Sequence, residues 1–271
     1  MRRGSEFCGS GLDREEGLLI TQVSPITELL SEACGSGLDR EKTLQGQKND
    51  YRCTIIRLAI TRRLYMRDTP RAHDLLWGMS PAQLPADAPA WVRLVLEAGE
   101  PVVVRRAMVA SGHIPVGIRG ASRDQRYATL MSAGSVRRRV RPEELIEGVY
   151  ASDLPALHAL IRLRPAMDEL GLDWGVTGSV GYQLATGIPT AHAHSDLDLL
   201  VRTPQLLTRS RARALLQRVD DVACRVDVQL ETPTGAIALR EWASDVTRVL
   251  LKCPTGARLI ENPWNQQEQV A

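Results

Sequence analysis

Trp174-Gly-Val-Thr-Gly-Ser-Val-Gly-Tyr-Gln-Leu-Ala-Thr-Gly187, followed by Ser195-Asp-Leu-Asp-Leu-Leu-Val201, is the stretch that decides the fold. Trp174 to Thr177 is a short β-like run that ends in Gly178-Ser179; Val180 to Ala185 has helical character and is closed by Thr186-Gly187. A strand, a Gly-Ser turn and a helix start can make an anion site. Glycine lets backbone approach a phosphate, the serine hydroxyl donates, and helix N-terminal amides point at the ligand. Such turns also occur for backbone reasons alone, so this one does not by itself assign a function.

The acidic string carries more chemistry. Alternation along a strand places Asp196, Asp198 and Leu200 on one face and Leu197, Leu199 and Val201 on the other. Two aspartates on one face of an apolar strand repel each other and cost desolvation unless a cation lies between them. The plainer account is a solvated strand end with incidental acids, and the depletion of acids in strands counts against it. Mg²⁺ suits the pair, since it takes one or two carboxylates and leaves its other positions to water and substrate phosphates. The pattern therefore predicts a Mg²⁺ site at Asp196 and Asp198. Cys224-Arg-Val-Asp-Val-Gln-Leu230 reads as a neighbouring strand with Val226, Val228 and Leu230 on its apolar face. Arg225, Asp227 and Gln229 share the other face. Asp227 is then a third carboxylate, as metal ligand or general base, or else part of an ordinary polar strand face.

Working outward, Asp153 to Leu170 reads as a helix, with Ser152 as N-cap and Pro155 in its first turn. Segment 71–150 mixes short β-like runs, Pro101-Val-Val-Val104 and Ile114-Pro-Val-Gly-Ile118, with loops. The fold class is α+β: a small N-terminal α+β domain over 66–150 and a catalytic domain over 151–271, a mixed sheet flanked by helices, with the active site between them. Residues 1–65 differ in character. The eight-residue string from Cys8 to Glu15 recurs from Cys34 to Glu41, and two glycine-bearing polar copies do not make a stacked repeat architecture. A disordered or non-native extension is expected there, with Met66 as the genuine start.

Composition excludes several classes. The 271 residues carry 34 basic and 32 acidic side chains, a formal charge of +2, so overall electrostatics announce neither a nucleic acid nor a membrane partner. Aromatic residues make up 4% of the chain, too few for a base-stacking platform. The five cysteines are scattered, with no CxxC pair, which suits a reducing compartment. With no apolar run of spanning length and no secretory signal, a cytoplasmic location is expected.

Between Pro101 and Arg141 nine arginines face a single acid, Asp124. They are solvated surface, or a basic face for phosphates or an acidic partner, which arginine forks suit; Arg119, Arg123 and Arg126 are the first candidates. Lys252, in a probable strand Val249-Leu-Leu-Lys-Cys253, reads as a strand-end lysine or a phosphate contact. His192 and His194 lack a third ligand at zinc spacing and read as loop residues.

Gly178-Ser179, then Asp196-Leu-Asp198, then Val226-Asp-Val228 together resemble the nucleotidyltransferase superfamily related to DNA polymerase β. More narrowly, Gly178 to Gly187 with Asp196-Leu-Asp198 is similar to the malonate decarboxylase holo-acyl-carrier-protein synthases, a family of phosphoribosyl-dephospho-CoA transferases. Ala72-His-Asp-Leu-Leu-Trp77, Pro101 to Arg106, Pro115 to Gly120, Glu241-Trp-Ala243 and Pro263-Trp264 support the same choice. The resemblance spans about Asp68 to Trp264. It implies a nucleotidyltransferase-type fold in the catalytic domain. It also implies transfer of the prosthetic group from triphosphoribosyl-dephospho-CoA to a serine of the malonate decarboxylase acyl carrier protein, with loss of pyrophosphate. Mg²⁺ on Asp196 and Asp198 would hold the triphosphate, with Gly178, Ser179, the arginines and Lys252 as substrate contacts. An ATP-dependent nucleotidyltransferase acting on a small hydroxyl acceptor and a non-catalytic nucleotide-binding scaffold are the rival readings.

Overall fold

The computed structural model describes residues 69–122, 124–148 and 153–265. Asp68–Ala271 forms one compact unit. The expected extension 1–65, the candidate Arg123 and the expected cap Ser152 lie outside the described residues.

The first sheet is built from β1 (Leu75–Trp77), β2 (Val102–Val104), β3 (His113–Arg119), β4 (Arg126–Ser132) and β5 (Arg138–Val140), with α1 (Ala90–Glu97) between β1 and β2. All its pairings are antiparallel, in the order β4-β3-β2-β1-β5. Strand alternation sorts its side chains. Leu76, Val102, Val104, Ile114, Val116 and Ile118 are buried with Val92 and Leu96 of α1, an i,i+4 apolar pair on one helix face.

The second sheet follows α2 (Pro155–Asp168), β6 (Trp174–Thr177), α3 (Gly178–Thr186), β7 (Leu197–Arg202), α4 (Arg209–Asp220), β8 (Val226–Thr232), β9 (Gly235–Ala238), α5 (Leu239–Ala243), β10 (Val249–Cys253) and β11 (Gly256–Ile260). Its order is β11-β10-β9-β8-β7-β6. Only β7 and β8 run parallel, joined through α4, since a parallel pair needs a crossover. The core face carries Leu197, Leu199, Val201, Val226, Val228, Leu230, Val249 and Leu251, packed on α2 and α4.

The α2 helix is shorter than its sequence suggests. Leu154 is extended (φ −69°, ψ 126°) because it precedes Pro155, which takes the first helical position. Beyond Asp168 the chain turns at Gly171, which adopts φ 65°. The acidic strand begins at Leu197, so Asp196 lies just ahead of β7.

The two sheets meet around α3. Leu75 and Val140 of the first sheet bury against Tyr182 of α3, and the Tyr182 hydroxyl donates to Glu100 at 2.7 Å. That bond and burial push the phenol pKa up, burial being the larger cause. A cross-sheet ion network adds to the junction. Arg202 of β7 donates to Glu143 at 2.8 Å, Arg106 pairs with Glu231 of β8, and fully buried Asp74 lies 2.7 Å from Arg139. Burial raises the Asp74 carboxyl pKa against the Arg71 amide, Arg139 and Arg202. At Glu143 burial also acts upward, but the bond and charge of Arg202 outweigh it and the pKa is lowered.

Candidate active site

Asp198 is the one residue of β7 that is not buried. Pairing fixes its neighbours: Thr177 of β6 lies opposite on one side and Asp227 of β8 on the other. Adjacent strands lie about 4.8 Å apart, so the fold itself brings the two aspartates together. Gly178 follows Thr177 directly, with φ 66°. A Cβ there would collide with the Asp198 carboxylate, so glycine is required both by conformation and by space. The carboxylate thereby sits against the first turn of α3, where the helix dipole favours negative charge.

These groups line a cleft of about 640 Å³ between the sheets. Of the residues singled out from sequence, Asp198, Asp227, Gly178, Arg119, Arg126 and Lys252 face into it. Asp196 and Ser179 are not among its lining residues. Asp196 stands 4.0 Å from the Arg225 guanidinium, whose other nitrogen is 3.0 Å from Asp227. The Ser179 carbonyl accepts from the Thr190 hydroxyl at 2.9 Å. Among the described residues no three His, Cys, Asp or Glu side chains gather closely enough to hold a metal by themselves. A ready three-carboxylate cluster is therefore not formed: Asp196 precedes the strand, and exposed Arg225 stands between it and Asp227.

The basic stretch does not form one face. Arg105, Arg119 and Arg126 line the cleft, whereas Arg106, Arg139 and Arg141 pair with Glu231, Asp74 and Glu144. Arg138 stacks over Trp77 at 4.4 Å. Arg119 and Arg126 are cross-strand partners. Burial and Arg126 lower the Arg119 pKa, opposed by Tyr182, Asp198 and Glu100. The Arg119 guanidinium is 5.6 Å from the Tyr182 ring centre and 3.5 Å from the Thr190 carbonyl.

Among the polar groups of the cleft that sequence did not mark as site residues are His73 and Gln229. His73 is the only non-glycine with positive φ (74°) among the described residues, a conformation that stores strain. Its Nε2 lies 2.8 Å from the Gln229 amide nitrogen and 3.3 Å from Arg106 Nη1. An arginine only donates, so Nε2 accepts and the ring proton belongs on Nδ1. Burial, with Arg106, Arg202 and Lys252 adding positive potential, pushes the imidazole down to about 3 and keeps it neutral. For Gln229 the signal was present, since alternation already places it on the face of Asp227. For His73 only a string of family likeness marked the position.

Two family models match the chain. The phosphoribosyl-dephospho-CoA transferase MdcG N-terminal domain covers residues 71–142 and the C-terminal domain covers residues 144–263. A phosphoribosyl-dephospho-CoA transferase of Pseudomonas fluorescens is 57% identical over 199 residues, 73% of this chain and 96% of its own length. Namesakes from Pseudomonas putida W619 (56% identical, 74% and 98% covered) and Azotobacter vinelandii (54%, 73% and 95%) are similar. No solved structure matches. The chain is thus an α+β transferase. It belongs to the phosphoribosyl-dephospho-CoA transferase family.

Proposed function

We propose that the protein moves the phosphoribosyl-dephospho-CoA group from triphosphoribosyl-dephospho-CoA to a serine of the malonate decarboxylase acyl carrier protein. One observation carries this reading: Asp198, at the start of α3, lies beside Asp227 in a cleft whose other wall supplies Arg105, Arg119 and Arg126. The arginines suit the anionic donor, and the acids suit activation of a hydroxyl.

Mg²⁺ fits the residues present. Asp196, Asp198 and Asp227 are hard oxygen donors, and the Arg225 guanidinium already stands as a positive charge beside two of them. Asp196 and Asp198 would hold the ion, with Asp227 on the neighbouring strand. Bound there, Mg²⁺ would neutralise charge on the phosphates and favour departure of pyrophosphate.

The chain's own groups would do the rest. Arg119 and Arg126 would bind the donor's phosphates by paired hydrogen bonds. Amides at the first turn of α3 would hold a phosphate oxygen. Asp227 would accept the serine proton as its oxygen bonds to the α-phosphorus and the bond to the departing pyrophosphate breaks. Thiols at Cys224 and Cys253, both free, accord with action in the cytoplasm. Among the described residues no helix is long and apolar enough to cross a membrane.

Donor choice tests the reading. Pyrophosphate release in the presence of apo-carrier should require triphosphoribosyl-dephospho-CoA. Equal release with ATP and a small hydroxyl acceptor would overturn it.

A further inference from the structure

The face of the second sheet that bears the acids extends beyond the cleft. Gln229 and Glu231 of β8 lie opposite Ala238 and Ala236 of β9, and Ala236 opposite Lys252 of β10. On β11, Ala257 lies opposite Lys252 and Leu259 opposite Leu250. Directly opposed residues of paired strands point to the same side. Leu250, Lys252 and Leu259 therefore share the face of Asp227, while Val249, Leu251 and Ile260 point into the core.

The first sheet covers the β8 part of this face through Arg106 on Glu231 and His73 on Gln229. Further out the face is open. Leu250 is 39% and Leu259 58% exposed, and as cross-strand partners their Cβ atoms lie about 5 Å apart. Lone exposed leucines need no explanation. An apolar pair that abuts a cleft-lining lysine has a position that a lone leucine lacks.

We infer that this ledge, Leu250, Leu259 and Lys252, seats the protein that brings the acceptor serine. The inference rests on the reading that the acceptor is a protein hydroxyl. A serine on a folded carrier reaches Asp198 and Asp227 only if the carrier surface around it rests on ground that borders the cleft. The ledge is such ground, since Lys252 belongs to both. Its chemistry specifies the partner. Two leucines call for an apolar side chain, and Lys252, which has no carboxylate partner among the described residues, calls for an acid beside it. The occupant is thus a carrier whose acceptor serine is flanked by an apolar residue and a carboxylate. Arg119 and Arg126, on the opposite wall, are left to the donor.

The test is steady-state transfer with saturating donor and varied apo-carrier, comparing wild type with Leu250→Thr/Leu259→Thr, which keeps strand-forming side chains, and with Leu259→Asp. The carrier KM should rise about tenfold in the double variant and further in Leu259→Asp, as for truncation of a contact centre. Donor affinity by calorimetry and the melting temperature should not change. An unchanged carrier KM in a folded variant overturns the inference. So does sedimentation showing that the variants only separate two copies of this chain, joined through the edge strand β11, with carrier KM unchanged. A wild-type protein that transfers nothing to the carrier would remove the functional reading itself, and the ledge with it.

Discussion

Gly178 joins backbone to chemistry in one position. Its φ of 66° strains most other residues, and a side chain would push against the Asp198 carboxylate. Gly178→Ala should destabilise the protein by about 1–3 kcal/mol and slow transfer by more than that loss of folded protein explains, because Asp198 is displaced. Urea unfolding and single-turnover rates on the folded fraction check both parts. His73 offers a pH test. Its folded pKa, about 3, lies below the ordinary 6.5, so between these values the unfolded chain binds the proton and the folded protein does not. The stability tied to His73 is therefore complete above about pH 6.5 and is lost as pH falls towards 3, by up to about 1.4 kcal/mol per pH unit. Asparagine tolerates positive φ and does not titrate. The stability difference between wild type and His73→Asn should be flat above neutrality and shrink in favour of the variant from pH 6.5 to 4; a pH-independent difference contradicts the assignment.

At the scale of elements, β7 does more than present Asp198. Its last residue, Arg202, has a side chain 7% exposed and donates to Glu143, with Glu231 at 3.9 Å and Asp74 at 4.0 Å. Removing one partner of a buried pair leaves uncompensated charge, so Arg202→Ala should cost about 3–5 kcal/mol. Arg248→Ala, which breaks the exposed pair with Glu261, should cost less than about 1 kcal/mol. Chemical denaturation of both variants measures the contrast. Much of this architecture was legible beforehand. Period-two alternation gave β7 and β8 and their acid-bearing faces, and the Gly-Ser turn gave the start of α3, because these signals are local. The pairing of Asp198 with Asp227 is long-range, and only the α4 crossover puts those two strands in register. That Asp196 precedes β7 was not legible, because alternation says which side a residue faces, not where the strand begins. For the arginines of 101–141 solvated surface and a basic face both stood open; β-pairing distributes them between cleft and ion network, which no charge count reveals.

Across the described residues, two sheets that each own a core are joined by α3 and a charged network, and the cleft lies at that junction. Acids come from the second sheet and cations chiefly from the first, so neither half holds the site alone. This division makes the acids legible in the sequence and hides His73. They sit on adjacent strands of one sheet, whereas His73 reaches Gln229 only when the sheets pack. The central claim is that the cleft transfers a phosphoribosyl-dephospho-CoA group to a carrier serine through the acids at its base. The direct measurement is the intact mass of the apo-carrier after incubation with triphosphoribosyl-dephospho-CoA and Mg²⁺, followed by location of the modified residue. The carrier should gain the mass of one phosphoribosyl-dephospho-CoA group on a single serine. Asp198→Asn, with an unchanged melting curve, should slow that gain by roughly a thousandfold, the several kcal/mol that charge stabilisation of a phosphoryl transition state supplies. No mass gain with wild type, or a near wild-type rate in folded Asp198→Asn, would contradict the account.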